Sequence, residues 1–253
     1  MKKIAIVTGS TSGIGKATAK ILAQNGYNLI VTGRRKERLD ELKEALGIKY
    51  KCDVLVLNFD IRDRECTETA IDGLPQQWKK ISVLVNNAGL ASGLAPIHEG
   101  SVEDWEQMID TNIKGLLYIT RKVTPLMIEA GGGHIVNLSS IAAKEVYENG
   151  NVYCATKHAV DALTKGMRLD LLKHNIKVTS ISPGMVDTEF STVRFKGDAD
   201  RAGKVYEGLV PLHDVDVADA IWYVLSRPAH VNINDMLVMP VAQANATVTL
   251  RKS

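Results

Sequence analysis

Ile4-Ala5-Ile6-Val7, followed at once by Thr8-Gly9-Ser10-Thr11-Ser12-Gly13-Ile14-Gly15, is the stretch on which the fold turns. Four apolar residues are too few for the apolar region of a signal sequence and suit a short strand buried on both faces. The glycines at 9, 13 and 15 permit a tight turn, close approach of backbone to a pyrophosphate, and close helix–strand packing. The helix opening at Ile14 then aims free N–H groups and a positive dipole end at the phosphates. A glycine motif alone is weak; its place between strand and helix strengthens it. Gly15-Lys16 looks like the end of a nucleoside-triphosphate loop, which needs four residues between its glycines and a hydroxyl residue after the lysine. Here five residues separate Gly9 from Gly15, and Ala17 follows Lys16. The triphosphatase reading fails twice.

Outward from that turn, short runs rich in Val, Ile and Leu recur at 29–31, 54–57, 83–85, 135–138, 178–181 and 237–239. Between them lie helical candidates at 14–24, 37–46, 63–74, 102–130, 152–174 and 215–226. Such alternation predicts an α/β fold, a parallel sheet covered by helices on both faces through right-handed crossovers. Asn25-Gly26 and Gly131-Gly132-Gly133 stop helices, and Ser101 ahead of Glu103-Asp104 starts one. No linker, repeat or low-complexity tract interrupts the chain, which reads as a single domain over 1–253. The exception to regular alternation is 185–208, polar and glycine-containing, with Arg194, Lys196, Arg201 and Lys204. It follows a strand end, where α/β proteins bind ligands, and is expected to be a lid over the site.

Composition narrows the classes. With 31 basic and 29 acidic residues the net charge is +2, no reason to expect nucleic acid or an anionic membrane as partner. Cys52, Cys66 and Cys154 form neither a paired motif nor a zinc cluster, so no metal and no disulfide framework is expected. No run is long enough to span a bilayer. The expectation is a soluble cytoplasmic protein.

The second strand ends in Thr32-Gly33-Arg34-Arg35, where an NAD site usually carries an acid for the ribose 2′-hydroxyl. A carboxylate there would repel a 2′-phosphate, whereas two guanidiniums can pair with one. The cofactor predicted is NADP. Farther on, Tyr153 and Lys157 are four residues apart, on one face of a helix. A phenol is a poor base at neutral pH, and a neighbouring ammonium brings its pKa toward the working range. Such a pair is common by chance, and its company decides the matter.

Thr8 to Gly15, Asp60-Ile61, Asn86-Asn87-Ala88-Gly89, Asn112, Ser139-Ser140, Tyr153 with Lys157, and Pro183-Gly184 occur in the order and spacing of the short-chain dehydrogenase/reductase family. The chain resembles that family from Ile4 to about Met239. The resemblance implies a Rossmann-type, doubly wound sheet of about seven strands. It also implies that Tyr153 gives or takes the substrate proton, Ser140 holds the substrate oxygen, and Lys157 holds the nicotinamide ribose. Asn112 would hold a water linking Lys157 to solvent. Asp60 and Ile61 would frame the adenine, Asn87, Ala88 and Gly89 would line the cofactor, and Val186 and Thr188 after Pro183-Gly184 would bind its carboxamide.

Thr32-Gly33-Arg34-Arg35, Glu103-Asp104-Trp105, Gly150-Asn151-Val152-Tyr153, Thr188-Glu189-Phe190-Ser191 with Val193-Arg194-Phe195, and the segment 228–233 are similar to the NADP-dependent 3-hydroxy acid dehydrogenases. This narrower resemblance implies serine, allo-threonine or 3-hydroxypropionate-type substrates. It also implies a homotetramer, with apolar residues near Trp222 and Met239 at an interface. A 3-hydroxy acid needs a cation for its carboxylate, and Arg194 on the lid is the candidate. A carbonyl or 3-oxoacyl reductase of the same family, and a non-catalytic NADP-binding sensor, remain the alternatives.

Overall fold

Apolar strands that can bury both faces only between helices line up side by side, and here they do so in parallel. A computed structural model describes residues 2–252; Met1 and Ser253, the ends of the expected domain, lie outside the described residues. Strand β1 (Ile4–Val7) leads through the glycine turn into α1 (Gly13–Gln24), followed by β2 (Asn28–Gly33), α2 (Lys36–Tyr50), β3 (Val54–Asn58) and α3 (Arg64–Asp72). Next come β4 (Ile81–Asn86), α4 (Val102–Ile109), α5 (Leu116–Glu129), β5 (Gly133–Leu138), α6 (Asn151–Leu171) and β6 (Ile176–Pro183). The order closes with β7 (Val186–Asp187), α7 (Glu189–Arg194), α8 (Ala199–Lys204), β8 (Leu212–His213), α9 (Asp214–Leu225) and β9 (Asp235–Val238).

The main sheet runs β3-β2-β1-β4-β5-β6-β9, seven strands with every pairing parallel. Strand residues alternate between two cores. Ala5, Val7, Leu29, Val31, Val83 and Val85 pack with Leu22, Leu39, Leu42 and Ile221 of α1, α2 and α9. Ile4, Ile6, Ile30 and Leu84 pack with Ile71, Ile119, Val123 and Met127 of α3 and α5 on the other face. The strand order reverses between β1 and β4, and a crevice opens at their C-terminal ends, the ligand position of such sheets.

The structure departs from the periodicity in two places that matter. The single helix expected over 102–130 is broken into α4, a π turn at Asp110–Gly115, and α5. Hydrophobic spacing does not register one wide turn, yet that turn carries Asn112 and is a common mark of a functional site. The segment 185–208 is no plain loop: β7, α7 and α8 fall inside it. Tyr206 ties it together by donating to the Val186 carbonyl and sharing a bond with the Ser191 hydroxyl, each at 2.7 Å. Ser101 caps α4 as expected, accepting from the Asp104 N–H at 3.2 Å.

Among the described residues no helix is long and apolar enough to cross a membrane, and no group of His, Cys, Asp and Glu is arranged to hold a metal ion. Leu84 sits in the central strand with no exposed surface. Leu84→Ala should lower unfolding free energy by about 3 kcal/mol, read as a shifted urea midpoint with unchanged slope.

Candidate active site

The loops leaving the C-terminal ends of β1, β2, β3, β4, β5 and β6 line a cleft of about 510 Å³, a usual size for a cofactor or small-molecule site. Its floor depends on Thr8. The Thr8 hydroxyl accepts from the backbone N–H groups of Asn87 and Ala88 at 3.0 and 2.9 Å, stitching the end of β1 to the end of β4. The Asn87 amide donates back to the Thr8 carbonyl at 2.8 Å. Gly9 and Gly13 have φ of +67° and +50°, where a side chain is strained, and a Cβ on Gly13 would press on Thr188.

Thr11, Ser12, Ile14, Arg34, Arg35, Asp60, Ile61, Ala88 and Gly89 line one side of this cleft, toward β1, β2 and β3. Ser140, Tyr153, Lys157, Pro183, Gly184, Val186, Thr188 and Arg194 line the other. Four expected residues stand behind the wall instead. Thr8 is spent on the β1–β4 stitch, and the Ser10 hydroxyl donates to the Val7 carbonyl at 2.6 Å. Gly15 lies against Asn87 and the Gly9 carbonyl, where a Cβ has no room. The Asn112 side chain grips Leu90, accepting from its N–H at 2.9 Å and donating to its carbonyl at 2.8 Å. Its second amide hydrogen goes to Thr156 at 3.0 Å, so the side chain fixes the loop after β4, while Oδ1 keeps a second acceptor position on the side of Gly89 that Lys157 Nζ also faces.

The electrostatics also differ from expectation. The Lys157 ammonium is buried, donates to the Leu138 carbonyl at 2.9 Å, and lies 5.9 Å from the Tyr153 ring centroid. Burial brings its pKa down to about 8. Burial likewise pushes the Tyr153 phenol well above its ordinary value, with the nearby Tyr147 adding to the rise. Arg194 and a hydrogen bond from Ser140 pull the other way. In the protein alone the tyrosine is therefore a reluctant base, and Arg194 is the cation pulling its pKa down.

Arg194 reaches this position from α7. Its guanidinium carbon lies 5.3 Å from the Tyr153 ring centroid, and Nη2 donates to the Tyr147 hydroxyl at 2.6 Å. Its backbone carbonyl accepts from Gly93 at 2.9 Å, pinning the helix end to the loop after β4. Phe190 meets Tyr153 edge-on at 5.7 Å. Tyr147 and Phe190 were not legible as site residues, since neither lies in a periodic element that points at the cleft. One trace of Tyr147 exists: its ring lies where a Cβ of Gly150 would be.

On the side toward β2 and β3, Arg34 is 56 % exposed and 3.9 Å from Asp60. Asp60 is itself gripped by Arg62, whose Nη2 is 2.7 Å away; burial raises its pKa but those hydrogen bonds hold it below the ordinary value. Arg35 is not free as the sequence suggests. Nε and Nη2 donate to the Thr11 hydroxyl at 3.1 and 2.7 Å, Nη2 also to Ser12 at 2.8 Å, and Nη1 to Glu189 at 2.7 Å. The cleft fits a dinucleotide by its own polarity. Ser139 Oγ and Thr111 Oγ1 are buried without partners among residues that line it, and buried hydroxyls ordinarily have one.

A sequence profile of the family described as short chain dehydrogenase matches residues 3–199. The NADP-dependent 3-hydroxy acid dehydrogenase YdfG of Salmonella typhi is 49% identical over 251 residues, 99% of this chain and all of that one. Sulfoacetaldehyde reductase 2 of Chromohalobacter salexigens is 44% identical over 96% of each chain. A structure described as the closed form of serine dehydrogenase complexed with NADP+ superposes with a TM-score of 0.92 at 47% identity, covering 99% of this chain and 100% of that one.

The Lys157 shift has a measurable sign. The unfolded chain keeps this proton up to the ordinary 10.5, whereas the folded protein releases it near 8. Across that window the unfolded state binds more protons, so this group makes stability rise with pH. Lys157→Met should flatten that part of the profile when urea midpoints of the free protein are compared between pH 7.5 and 10.5.

Proposed function

This chain belongs to the short-chain dehydrogenase family, and on that premise we propose that it oxidises short 3-hydroxy acids, reversibly, to the 3-oxo acids. It is an NADP-dependent oxidoreductase acting on CH–OH groups. What remains to be assigned is the substrate and the part each residue plays. The observation that carries the substrate reading is a guanidinium, Arg194, held 5.3 Å from the Tyr153 ring inside the cleft. A neutral alcohol has no use for that charge. A 3-hydroxy acid spans it, with its carbinol at Tyr153 and its carboxylate on Arg194 and Tyr147, whose hydroxyl sits 2.6 Å from Nη2.

NADP supplies the hydride acceptor at nicotinamide C4. The chain supplies the rest. Tyr153 removes the hydroxyl proton, Ser140 hydrogen-bonds the oxygen as charge develops on it, and Lys157 holds the ribose hydroxyls beside them. Pro183, Gly184, Val186 and Thr188 hold the carboxamide edge, while Asp60, Ile61, Asn87, Ala88 and Gly89 hold the adenosine side. Residues 185–208 act as a lid: α7 delivers Arg194, and Lys196 pairs with Asp104 on α4 at 3.0 Å to hold its far end. Closure excludes water and strengthens each of these interactions.

A second reading replaces the carboxylate by a sulfonate, favoured by the resemblance to sulfoacetaldehyde reductase 2. The same guanidinium and phenol would receive either anion. The reading also includes a cytoplasmic homotetramer. Near the last helix and strand Trp222 packs edge-on against Tyr27 at 6.4 Å, and Val215, Tyr223, Leu237 and Val241 stand exposed and available for contact. Light scattering on Leu237→Glu should report a smaller assembly than the parent.

Serine, 3-hydroxypropionate, 2-hydroxyethanesulfonate and neutral alcohols, assayed with NADP by absorbance of the reduced nicotinamide, separate these readings. Arg194→Met should raise KM for the preferred acid by about a hundredfold and leave the KM of a neutral alcohol nearly unchanged, any loss of kcat through Tyr153 being shared by both; equal effects on the two KM values remove the assignment. Tyr153→Phe should lower kcat by about 10³-fold. Because burial raises the phenol pKa, oxidation should accelerate as pH rises through the alkaline range, while reduction should not.

A further inference from the structure

The first residue of α7 makes contacts that catalysis does not require. Glu189 reaches from the lid across the mouth of the cleft to α2. Its Oε2 accepts from Arg35 Nη1 at 2.7 Å and its Oε1 from Arg38 Nη1 at 2.6 Å. Arg35 is at the same time bound to the Thr11 and Ser12 hydroxyls of the glycine turn. One carboxylate thus links lid, glycine turn and second helix, residues 154 positions apart in the chain. Partial burial pushes the Glu189 pKa up, but the hydrogen bonds from Arg35 and Arg38 bring it down to about 2, so it stays ionised.

Donor counting separates the arginines. A guanidinium has five N–H groups, and Arg35 commits four of them to Thr11, Ser12 and Glu189. Arg34 has only Asp60 within ion-pair range, at 3.9 Å, and Asp60 is already matched by Arg62. Arg34, Arg35 and Arg38 bring three positive charges, and Glu189 returns one negative charge. The remaining excess matches a phosphate monoester, which carries about −1.5 to −2 at neutral pH.

We propose that Glu189 is a clasp: by bridging Arg35 and Arg38 it holds the lid shut over bound NADP and sets how long the cofactor stays, while Arg34 reads the 2′-phosphate. Arg35, Arg38 and Glu189 are then positioning residues for the lid. The proposal rests on the lid reading above and on NADP as cofactor; it does not depend on which hydroxy acid is oxidised. Failure of the substrate panel would leave it standing.

The test is NADPH release from the full-length protein without substrate, followed by stopped-flow fluorescence after mixing with excess NADP+. Two half-exposed ion pairs predict release about fivefold to tenfold faster in Glu189→Gln, and less so in high salt, where the parent's own clasp is screened. Arg38→Gln, distant from the glycine turn, breaks one of the two pairs and should give a smaller acceleration, and the double variant no more than Glu189→Gln alone, the signature of shared contact. The ratio of NADPH to NADH affinity should be kept or raised in Glu189→Gln, which removes a negative charge, and collapse in Arg34→Ala. Unchanged release in both single variants, or fully additive effects, would overturn the clasp. Slower release in Glu189→Gln would overturn it too, by making Glu189 a rival of the 2′-phosphate for Arg35.

Discussion

The site depends on a single hydroxyl placed where two strands part. Thr8 Oγ1 accepts two backbone N–H groups from the turn after β4, and that turn's amide side chain answers to the end of β1. Strands β1 and β4 are the pair at which the connection reverses direction, so their C-terminal ends lead away from each other and leave a crevice. The Ala88 N–H, turned into such a crevice, would go unpaired without Thr8, while that of Asn87 would keep only the Val85 carbonyl. With them satisfied, the glycine turn and the Ala88-Gly89 backbone stand as two fixed walls of one cleft. The residue is buried and does not line the cleft, yet both walls keep the geometry it maintains.

Within those walls burial sets the chemistry. Tyr153 and Lys157 are both buried, and desolvation drives their pKa values apart from the ordinary ones in opposite senses, the phenol up and the ammonium down. A second cation stands beside the phenol: Arg194 lies against both Tyr153 and Tyr147. A guanidinium in that place favours the phenolate over the phenol.

The stretch from Glu189 to Lys196, within the segment read above as a lid, is held by charges at either end and by backbone between them. Glu189 spans to Arg35 and Arg38, Lys196 spans to Asp104, and between them the Arg194 carbonyl accepts from Gly93. Exposed ion pairs are individually weak and screened by salt. Contacts of this strength would suit the opening and closing proposed for this segment. Asp104, only 13 % exposed, is the more sheltered anchor, with the Ser92 hydroxyl donating to it at 2.7 Å.

What the sequence determined by itself was everything local in its physics. The glycine turn between strand and helix, the β-α alternation, the absence of an acid after Thr32-Gly33, and the Tyr153/Lys157 spacing are patterns within a few residues, and each names its structural element directly. What only the tertiary structure decided concerns partners far apart in the chain. That Arg35 belongs to Glu189 and the glycine turn, that Asn112 grips Leu90, and that Tyr147 meets Arg194 depends on separations of 154, 22 and 47 residues. Arg34 and Arg35 look alike in sequence because both carry the same charge. Which donors remain free on each follows from where the folded chain brings acceptors, and no local pattern encodes that.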